Sequence, residues 1–337
     1  MSTMRLVRRV QLTGGSTYIV SIPKEWAASV GISKGSLVTL TLEHDGTIRV
    51  IPSAKKPQAA TTAEVTVAKD TSQGAVVREV MSKYLVGYKT IHLKFLRDDP
   101  ELRRVLKEVA VKKLIGAEVL HEDSHEMTIQ VLVNIEDLPI SSIILKMRDT
   151  NRSVLKDAMD AIRRRAAGSL NLEELLARDD IVDKLYLYGL RQLNTALKGY
   201  ISLEEIGLSR SEEVLSYSMV LKNLERIGDH AVNIAINTRN IPGEFPGLED
   251  LLLYGEEVTA FFEKSVKTFL NRDKKTANDL LDAKAVELRE IEKRLTSIYS
   301  IGDAQLLTTL RIIAGSYRRV ADYSSDILEA TIDLYDL

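Results

Sequence analysis

The chain has 337 residues and a formal net charge of −2, with 45% hydrophobic and 28% charged residues, a globular balance that excludes extensive disorder and predicts two or three domains. It contains no cysteine, which excludes disulfides, thiolate metal sites and cysteine nucleophiles. No apolar run approaches the roughly 20 residues that span a bilayer and the start lacks a secretory signal, so we expect a cytoplasmic protein without membrane insertion.

The charge is unevenly distributed along the chain. Residues 1–57 carry eight Lys or Arg and three acids, a net of +5, which leaves −7 for the remainder. A small basic segment joined to an acidic body is the pattern expected when one domain meets a polyanion and the other does not.

Residues 1–53 predict short strands around one short helix. The segments RLVRRVQL and TYIVSIP alternate in polarity, and Pro23 opens a brief helix. Two further strands flank Asp45-Gly46, a strong signal for a tight hairpin. So small a unit buries little core alone, and we therefore expect it to dimerise. Residues 54–62 are small, basic and polar, as in a linker.

Residues 63–137 alternate between strand and helix periodicity and predict a small α/β domain of order βαβαββ. The segment contains no phosphate-cradling glycine run and no coherent catalytic set. His121 and His125 flank a predicted loop, and we interpret them as surface residues.

From residue 138 the periodicity is helical. Three helices are predicted in residues 138–240, a Pro/Gly loop follows, and three more are predicted in residues 247–337. LERIGDHAVNIA in the third helix recurs as YRRVADYSSDIL in the sixth, so that Asp229 and Asp322 are 93 positions apart. Recurrence at this distance predicts two copies of a small helical bundle.

Each copy carries polar residues at intervals of four, which places them in a row on one helix face. These rows are Glu225, Asp229 and Asn233 in the first copy, and Arg318, Asp322 and Asp326 in the second. The second helices add Asp179 and Asp183, and Asp282 and Glu287. Such a row is either a solvated stripe or a set of oxygen ligands for a cation. His230 points about 100° away from Asp229, so we interpret it as a packed or capping residue.

The first 53 residues resemble the AbrB/MazE/SpoVT swapped-hairpin DNA-binding domain. The resemblance rests on the basic first strand RLVRRVQ, the turn and strand GGSTYIVSIPK, the short helix, Lys34-Gly35 and the closing DGTIRVIP. Arg5, Arg8, Arg9 and Lys24 are the candidate DNA-binding residues, with phosphate contacts that fix position and one or two arginines that read bases. The alternative is that these charges only protect a strand edge.

The C-terminal two hundred residues resemble PhoU, the phosphate-uptake regulator, because ERIGDHAVNI closely matches the acidic E-x-x-x-D signature of that family. The resemblance implies metal ions, such as Mg²⁺, Mn²⁺, iron or zinc, held on the bundle by acids of each repeat. The candidate metal ligands are Glu225, Asp229, Asp183, Asp322, Asp326 and Glu287. Arg318 stands where the family has a glutamate, so that the second repeat departs from the pattern.

The expected fold class is therefore mainly α and multidomain: an N-terminal swapped-hairpin β domain, a small α/β middle domain and a C-terminal duplicated three-helix bundle. The expected function is a homodimeric transcriptional regulator of phosphate uptake that binds DNA and senses phosphate status through a metal or a partner protein. The alternative is an adaptor that docks on a phosphate transporter or its signalling partner without binding DNA. A metal-dependent enzyme is a third possibility, but no catalytic motif supports it, and we expect no enzyme.

Overall fold

The structure is a computed structural model that describes residues 5–42, 46–52, 62–133, 138–164, 170–242, 244–295 and 301–336. The chain divides into two compact units, residues 1–58 and residues 59–337. In the segment predicted as a linker, residues 54–61 lie outside the described residues.

The first unit consists of two antiparallel hairpins and one short helix. Its elements are β1 (Gln11–Thr13), β2 (Thr17–Ile19), α1 (Lys24–Ser29), β3 (Val38–Leu42) and β4 (Ile48–Pro52). Gly14 and Gly15 both have positive φ, which allows the tight turn that pairs Thr13 with Thr17. The second predicted hairpin also forms, with Gly46 at positive φ, whereas Asp45 lies outside the described residues.

Large apolar side chains of the first unit face outward. The side chains of Tyr18, Leu40, Leu42 and Ile48 are 74%, 65%, 75% and 66% exposed. None of the described residues of this unit is buried, and even Trp26 of α1 is only half-buried. A single copy therefore leaves its apolar surface in water, which disfavours it as an isolated folded unit.

The second unit begins with a small α/β layer that has the predicted order βαβαββ. Its elements are β5 (Thr62–Val67), α2 (Gln73–Leu85), β6 (Thr90–Phe95), α3 (Pro100–Lys113), β7 (Ala117–Glu122) and β8 (Glu126–Val131). The strands lie in the order β5-β6-β8-β7, with β5 and β6 parallel and the other pairs antiparallel. His121 and His125 are exposed, as predicted.

Local signals place the two helices of this layer. The Ser72 side chain accepts a hydrogen bond from the Ala75 amide at the start of α2. Asp99 does the same for Leu102 at the start of α3, where Pro100 occupies the first helical position. Alternate strand residues such as Val65 and Leu93 are buried, which gives the sheet one apolar face for the helices to cover.

The remaining helices form the duplicated bundle. They are α4 (Ile140–Arg163), α5 (Leu172–Leu197), α6 (Glu213–Thr238), α7 (Leu248–Leu270), α8 (Lys274–Asp279), α9 (Ala285–Arg294) and α10 (Ala304–Asp336). A π-helical turn, Leu280–Lys284, joins α8 to α9. Helices α4 to α6 make the first repeat. In the second repeat, α8, the π turn and α9 together take the place of the second predicted helix between α7 and α10. The acidic rows lie on α6 and α10, the last helix of each repeat, as predicted.

Four helices form the centre of the bundle in a closed ring. Helix α4 packs on α6, α6 on α10, α10 on α7 and α7 on α4. Helix α5 covers α4 and α6, while α9 packs on α7 and α10. The approach of α7 to α10 is close at Gly255, where an added Cβ would lie 2.8 Å from Cζ of the buried Tyr317.

The α/β layer is attached to the bundle through α5. Buried Arg191 donates hydrogen bonds to the Tyr84 and Gly87 carbonyl oxygens and lies over the Tyr84 ring. Lys198 donates to the Val86 carbonyl oxygen at 2.9 Å. These contacts fix the α/β layer on the helix that carries two of the candidate acids.

The predicted fold class is confirmed: the chain is mainly α and multidomain, with N-terminal β hairpins, a middle α/β domain and a duplicated three-helix bundle. Hairpin swapping between copies stays a prediction. Among the described helices, none is long and apolar enough to cross a membrane.

Candidate metal centre

Four carboxylates of the first repeat come together where α5 packs on α6. Burial raises the pKa of Asp229, and the charges of Glu225 and Asp183 raise it further. Burial likewise raises the pKa of Asp179 to about 6, reinforced by Asp183 and Asp229. The four groups therefore act on one another electrostatically, as a cluster with excess negative charge.

Two lysines partly neutralise this cluster. Lys222 of α6 lies with its Nζ 2.6 Å from Oε2 of Glu225. Lys113, at the end of α3 in the α/β layer, has its Nζ 3.5 Å from Oδ2 of Asp183. The second contact joins the α/β layer directly to the acidic cluster.

The donor chemistry of the cluster fits a hard cation. Its ligand atoms are all carboxylate oxygens, which Mg²⁺, Mn²⁺ and related ions prefer. Burial, and after it the neighbouring carboxylates, raise the pKa values of Asp179 and Asp229, and a bound cation would oppose both effects. Across the part of the chain that the structure describes, however, no three His, Asp or Glu side chains are placed to hold a metal ion together. Metal ligation by Glu225, Asp229 and Asp183 thus stays a prediction.

The corresponding corner of the second repeat has a different charge pattern. A cavity of about 130 Å³ is lined by Asp322 and Glu292 together with Arg289 and Arg318. Arg318 lies 3.6 Å from Glu292, and Arg319 lies 3.6 Å from Asp322. Arg318, which stands where the family has a glutamate, thus pairs with Glu292, and the neighbouring Arg319 pairs with Asp322. Three arginines accompany two acids in this corner, whereas two lysines accompany four acids in the first repeat.

The two other predicted ligands of the second repeat lie apart from this cavity. Glu287 is exposed and pairs with Lys284 at 3.1 Å. Burial and the charge of Asp322 raise the pKa of Asp326, whereas Arg226 of α6 lowers it, so Asp326 faces the first repeat.

Sequence reasoning missed Glu292 as the α9 acid that lies near Asp322. The residues that precede α9 include the π-helical turn Leu280–Lys284. A π turn holds more residues than an α turn and so rotates the face presented by every residue that follows it. Periodicity alone could not select Glu292 from among the acids of this helix.

His230 packs between the repeats. Its ring centroid lies 5.9 Å from that of Tyr323, and burial, with a smaller effect of Arg319, lowers its pKa. Its buried Nδ1 has no hydrogen-bond partner among the described residues. Its position agrees with the interpretation of a packed residue.

The candidate DNA-binding residues lie in the first unit and are exposed. Lys24 is the first residue of α1, while Arg5, Arg8 and Arg9 precede β1. The prediction that RLVRRVQL forms a strand along its length is wrong for the single chain, where β1 begins at Gln11. The physical reason is that no described strand pairs with residues 5–10.

Helical packing, the duplicated acidic row and the ring of four central helices define a protein built from two copies of a three-helix bundle. The family described as "PhoU domain" matches residues 144–238 and 251–331, which is more than half of the chain. The chain belongs to the PhoU family. A second family, "Antidote-toxin recognition MazE, bacterial antitoxin", matches residues 11–58.

One curated protein and one solved structure are similar to part of this chain. The "Phosphate-specific transport system accessory protein PhoU homolog" of Clostridium acetobutylicum is 21% identical over 203 residues, which cover 58% of this chain and 90% of the relative. The crystal structure of PhoU from Pseudomonas aeruginosa is 20% identical, with a TM-score of 0.49, and the match covers 58% of this chain and 95% of that protein. Both matches leave about two fifths of this chain unaccounted for.

Proposed function

We propose that this chain is a homodimeric, DNA-binding regulator of phosphate uptake that acts in the cytoplasm. The observation that carries the proposal is the joining of two parts on one chain. Residues 11–58 match the MazE antitoxin family, and residues 144–331 hold the duplicated PhoU domain. The fusion of a PhoU-family bundle to a basic hairpin unit supports a protein that binds DNA through the hairpin unit and senses phosphate status through the bundle.

The N-terminal unit supports DNA binding through its charge and dimerisation through its apolar surface. Residues 1–57 carry a net charge of +5, which suits the phosphate backbone. Tyr18, Leu40 and Leu42 are more than half exposed in the single chain. A second copy would bury these side chains and would double the number of cations presented to one DNA duplex.

The bundle would supply the sensing part. The relative from Clostridium acetobutylicum carries the name of a phosphate-specific transport system accessory protein, and this points to phosphate as the regulated solute. A cation bound by Glu225, Asp229 and Asp183 would supply positive charge to the cluster and would compete with Lys113 for Asp183. Binding of a cation to the cluster would in this way weaken a contact between the α/β layer and the bundle.

The alternative is an adaptor that docks on a phosphate transporter or its signalling partner and does not bind DNA. The accessory-protein name of the relative favours this alternative for the bundle alone. In the adaptor alternative, the hairpin unit serves only dimerisation, and the positive charge of residues 1–57 has no binding partner.

A gel-shift experiment at physiological salt separates these functions. The full chain is mixed with DNA from its own promoter region or with random DNA of equal length. Arg8→Ala/Arg9→Ala is expected to lose binding, whereas a matched variant with two exposed cations removed from the α/β layer, Lys69→Ala/Arg97→Ala, should retain it. Equal binding of promoter and random DNA would contradict the function as a transcriptional regulator and would favour the adaptor alternative.

The metal prediction is tested separately by elemental analysis of the purified chain and of Asp229→Ala. The chain is expected to carry metal and the variant to lose it. Equally negligible metal in both would contradict the prediction.

A further inference from the structure

Helices α4 and α7 form a basic groove on the side of the central ring opposite the α6–α10 pair. The groove encloses about 560 Å³. Its cations are Arg148, Arg152, Lys156, Arg163, Lys264 and Lys267, and its carboxylates are Asp160, Glu256 and Glu263. The candidate metal ligands take no part in it, so neither the acidic cluster nor the DNA-binding unit accounts for this surface.

The positive charge is concentrated away from one end of the groove. Arg163 pairs with both Asp160 and Glu256, so that at this end one cation meets two carboxylates. Arg152 lies 3.6 Å from Glu263, a long contact between exposed side chains. Lys156, Lys264 and Lys267 have no ion-pair partner within the described ranges. The lysines and Arg152 are therefore available to a ligand.

The dimensions of the groove indicate an elongated ligand. Arg148 and Arg163 are separated by fifteen residues on α4, which corresponds to about 22 Å along the helix axis. Arg148, Arg152 and Lys156 follow one another at intervals of four, about 6 Å apart. A single phosphate ion would occupy only a small part of this length, whereas a helix with carboxylates at every fourth position presents negative charge at the same spacing.

The uncharged lining of the groove indicates a protein ligand. Its residues are Met159, Thr259 and Ala260, of which Ala260 is exposed. Methionine adapts its shape to apolar partners, and small residues let a neighbouring helix approach closely. Among the described residues, no aromatic side chain lines the groove, although single-stranded nucleic acids are usually held by aromatic stacking.

We propose that the α4–α7 groove is a docking surface for an acidic amphipathic helix of a partner protein. Carboxylates at every fourth position of that helix would face Arg152, Lys156 and Lys264, while an apolar side chain between them would contact Met159 and Ala260. This inference rests on the proposed regulatory function only for its biological meaning, since the groove and its charges do not depend on DNA binding.

The test uses the full chain and a fluorescent helical peptide of about 18 residues, long enough to fill the groove. Glutamate occupies every fourth position of the peptide and leucine the adjacent stripe; in the control peptide glutamine replaces glutamate. Anisotropy is measured at physiological salt without DNA. Lys156→Glu/Lys264→Glu should weaken binding by at least about tenfold, since each change replaces attraction by repulsion. Lys275→Glu/Lys293→Glu alters the net charge equally, outside the groove, and should leave the affinity within about twofold.

Amine-reactive labelling gives a second measurement, in which the bound peptide should protect Lys156 and Lys264 but not Lys293. The proposal is overturned by any of three results: no peptide binding, equal weakening in both double variants, or tighter groove binding of polyphosphate or an oligonucleotide than of the peptide. Because no promoter DNA is present, failure here is distinguishable from failure of the regulator in the gel shift.

Discussion

His230 of α6 and Tyr323 of α10 are 93 positions apart in the sequence and pack against each other, with ring centroids separated by 5.9 Å. The same offset relates Arg226 to Arg319. Arg226 lies over the Tyr323 ring, and Arg319 is near enough to His230 to lower its pKa. Equivalent residues that meet in this reciprocal way define a local two-fold axis between the repeats. Repeat symmetry therefore organises the α6–α10 contact.

Protonation of His230 should weaken this contact. Burial lowers its pKa in the folded chain below the ordinary value of about 6.5, so the unfolded chain binds the proton more tightly. Stability from the neutral ring is present above that pH and is lost as the pH falls towards the folded pKa. His230→Phe should lose less unfolding free energy than the wild type between pH 7.5 and 5.5 in urea titrations. Exposed His121→Gln is the control, and identical pH dependence of wild type and His230→Phe would contradict this assignment.

Asp179 should have the opposite pH dependence. Its pKa is raised to about 6, so its favourable contribution is present below the unfolded value and is lost as the pH rises through about 6. Without added metal at pH 7.5, Asp179→Asn should raise the free energy of unfolding by roughly 1 kcal/mol, a figure reduced for solvent screening. At pH 4.5 the gain should be smaller. Exposed Asp180→Asn should change stability less, and a loss for Asp179→Asn at pH 7.5 would contradict the clustering of the four acids.

Glu213 and Arg272 link the two repeats through an ion pair that is buried on the carboxylate side. The Glu213 side chain is 0% exposed, and Arg272 donates to its two oxygens at 3.0 and 2.7 Å. Arg272→Ala leaves this carboxylate with only the Ser209 amide and Arg210 at 3.8 Å, and should cost about 2 kcal/mol in denaturant unfolding.

The backbone at Arg272 needs its own control, because this residue has a positive φ of 52°. Arg272→Gly removes the strain but still breaks the ion pair, and it should also destabilise the chain. Lys293→Ala breaks the exposed pair with Glu290 and should cost less than about 0.5 kcal/mol. A stability of Arg272→Gly equal to the wild type would show that the ion pair contributes little.

Arg191 should hold the α/β layer on the bundle. Arg191→Met leaves the Tyr84 and Gly87 carbonyl oxygens without their guanidinium donor, at a cost of about 2–3 kcal/mol. Hydrogen exchange should accelerate at the end of α2, whereas the α6–α10 contact should keep its protection. Lys198→Met removes one exposed contact and serves as the milder control. Uniform acceleration across the whole second unit would contradict a local role for Arg191.

Much of the fold follows from the sequence because its signals are local. Helical periodicity and the loop near Pro242 and Pro246 predict two helical triplets, and the strand pattern predicts the βαβαββ layer. The recurrence of Asp229 at Asp322 predicts the duplication, and the family match confirms it. Apart from the 93-residue recurrence, each of these signals lies within a few turns of helix or one strand, and tertiary packing did not override them.

The arrangement of charges between elements could not be predicted in the same way. The Lys113–Asp183 contact joins residues seventy positions apart and depends on how α3 packs near α5. Glu292 replaces Glu287 beside Asp322 because the phase of α9 depends on the preceding π turn. The start of the first strand was also misplaced, since a strand needs a partner that the single chain does not supply to residues 5–10.

The proposed function requires that phosphate, sensed by the bundle, changes the affinity of the hairpin unit for DNA. The most direct measurement is the anisotropy of labelled promoter DNA titrated with the full chain, with and without millimolar inorganic phosphate at constant ionic strength. Sulfate replaces phosphate in the control, because DNA binding depends on salt. We expect phosphate to change the affinity by at least about fivefold, and Asp229→Ala to bind DNA without this response. If phosphate leaves the affinity for promoter DNA unchanged, the proposal of a phosphate-responsive DNA-binding regulator is contradicted.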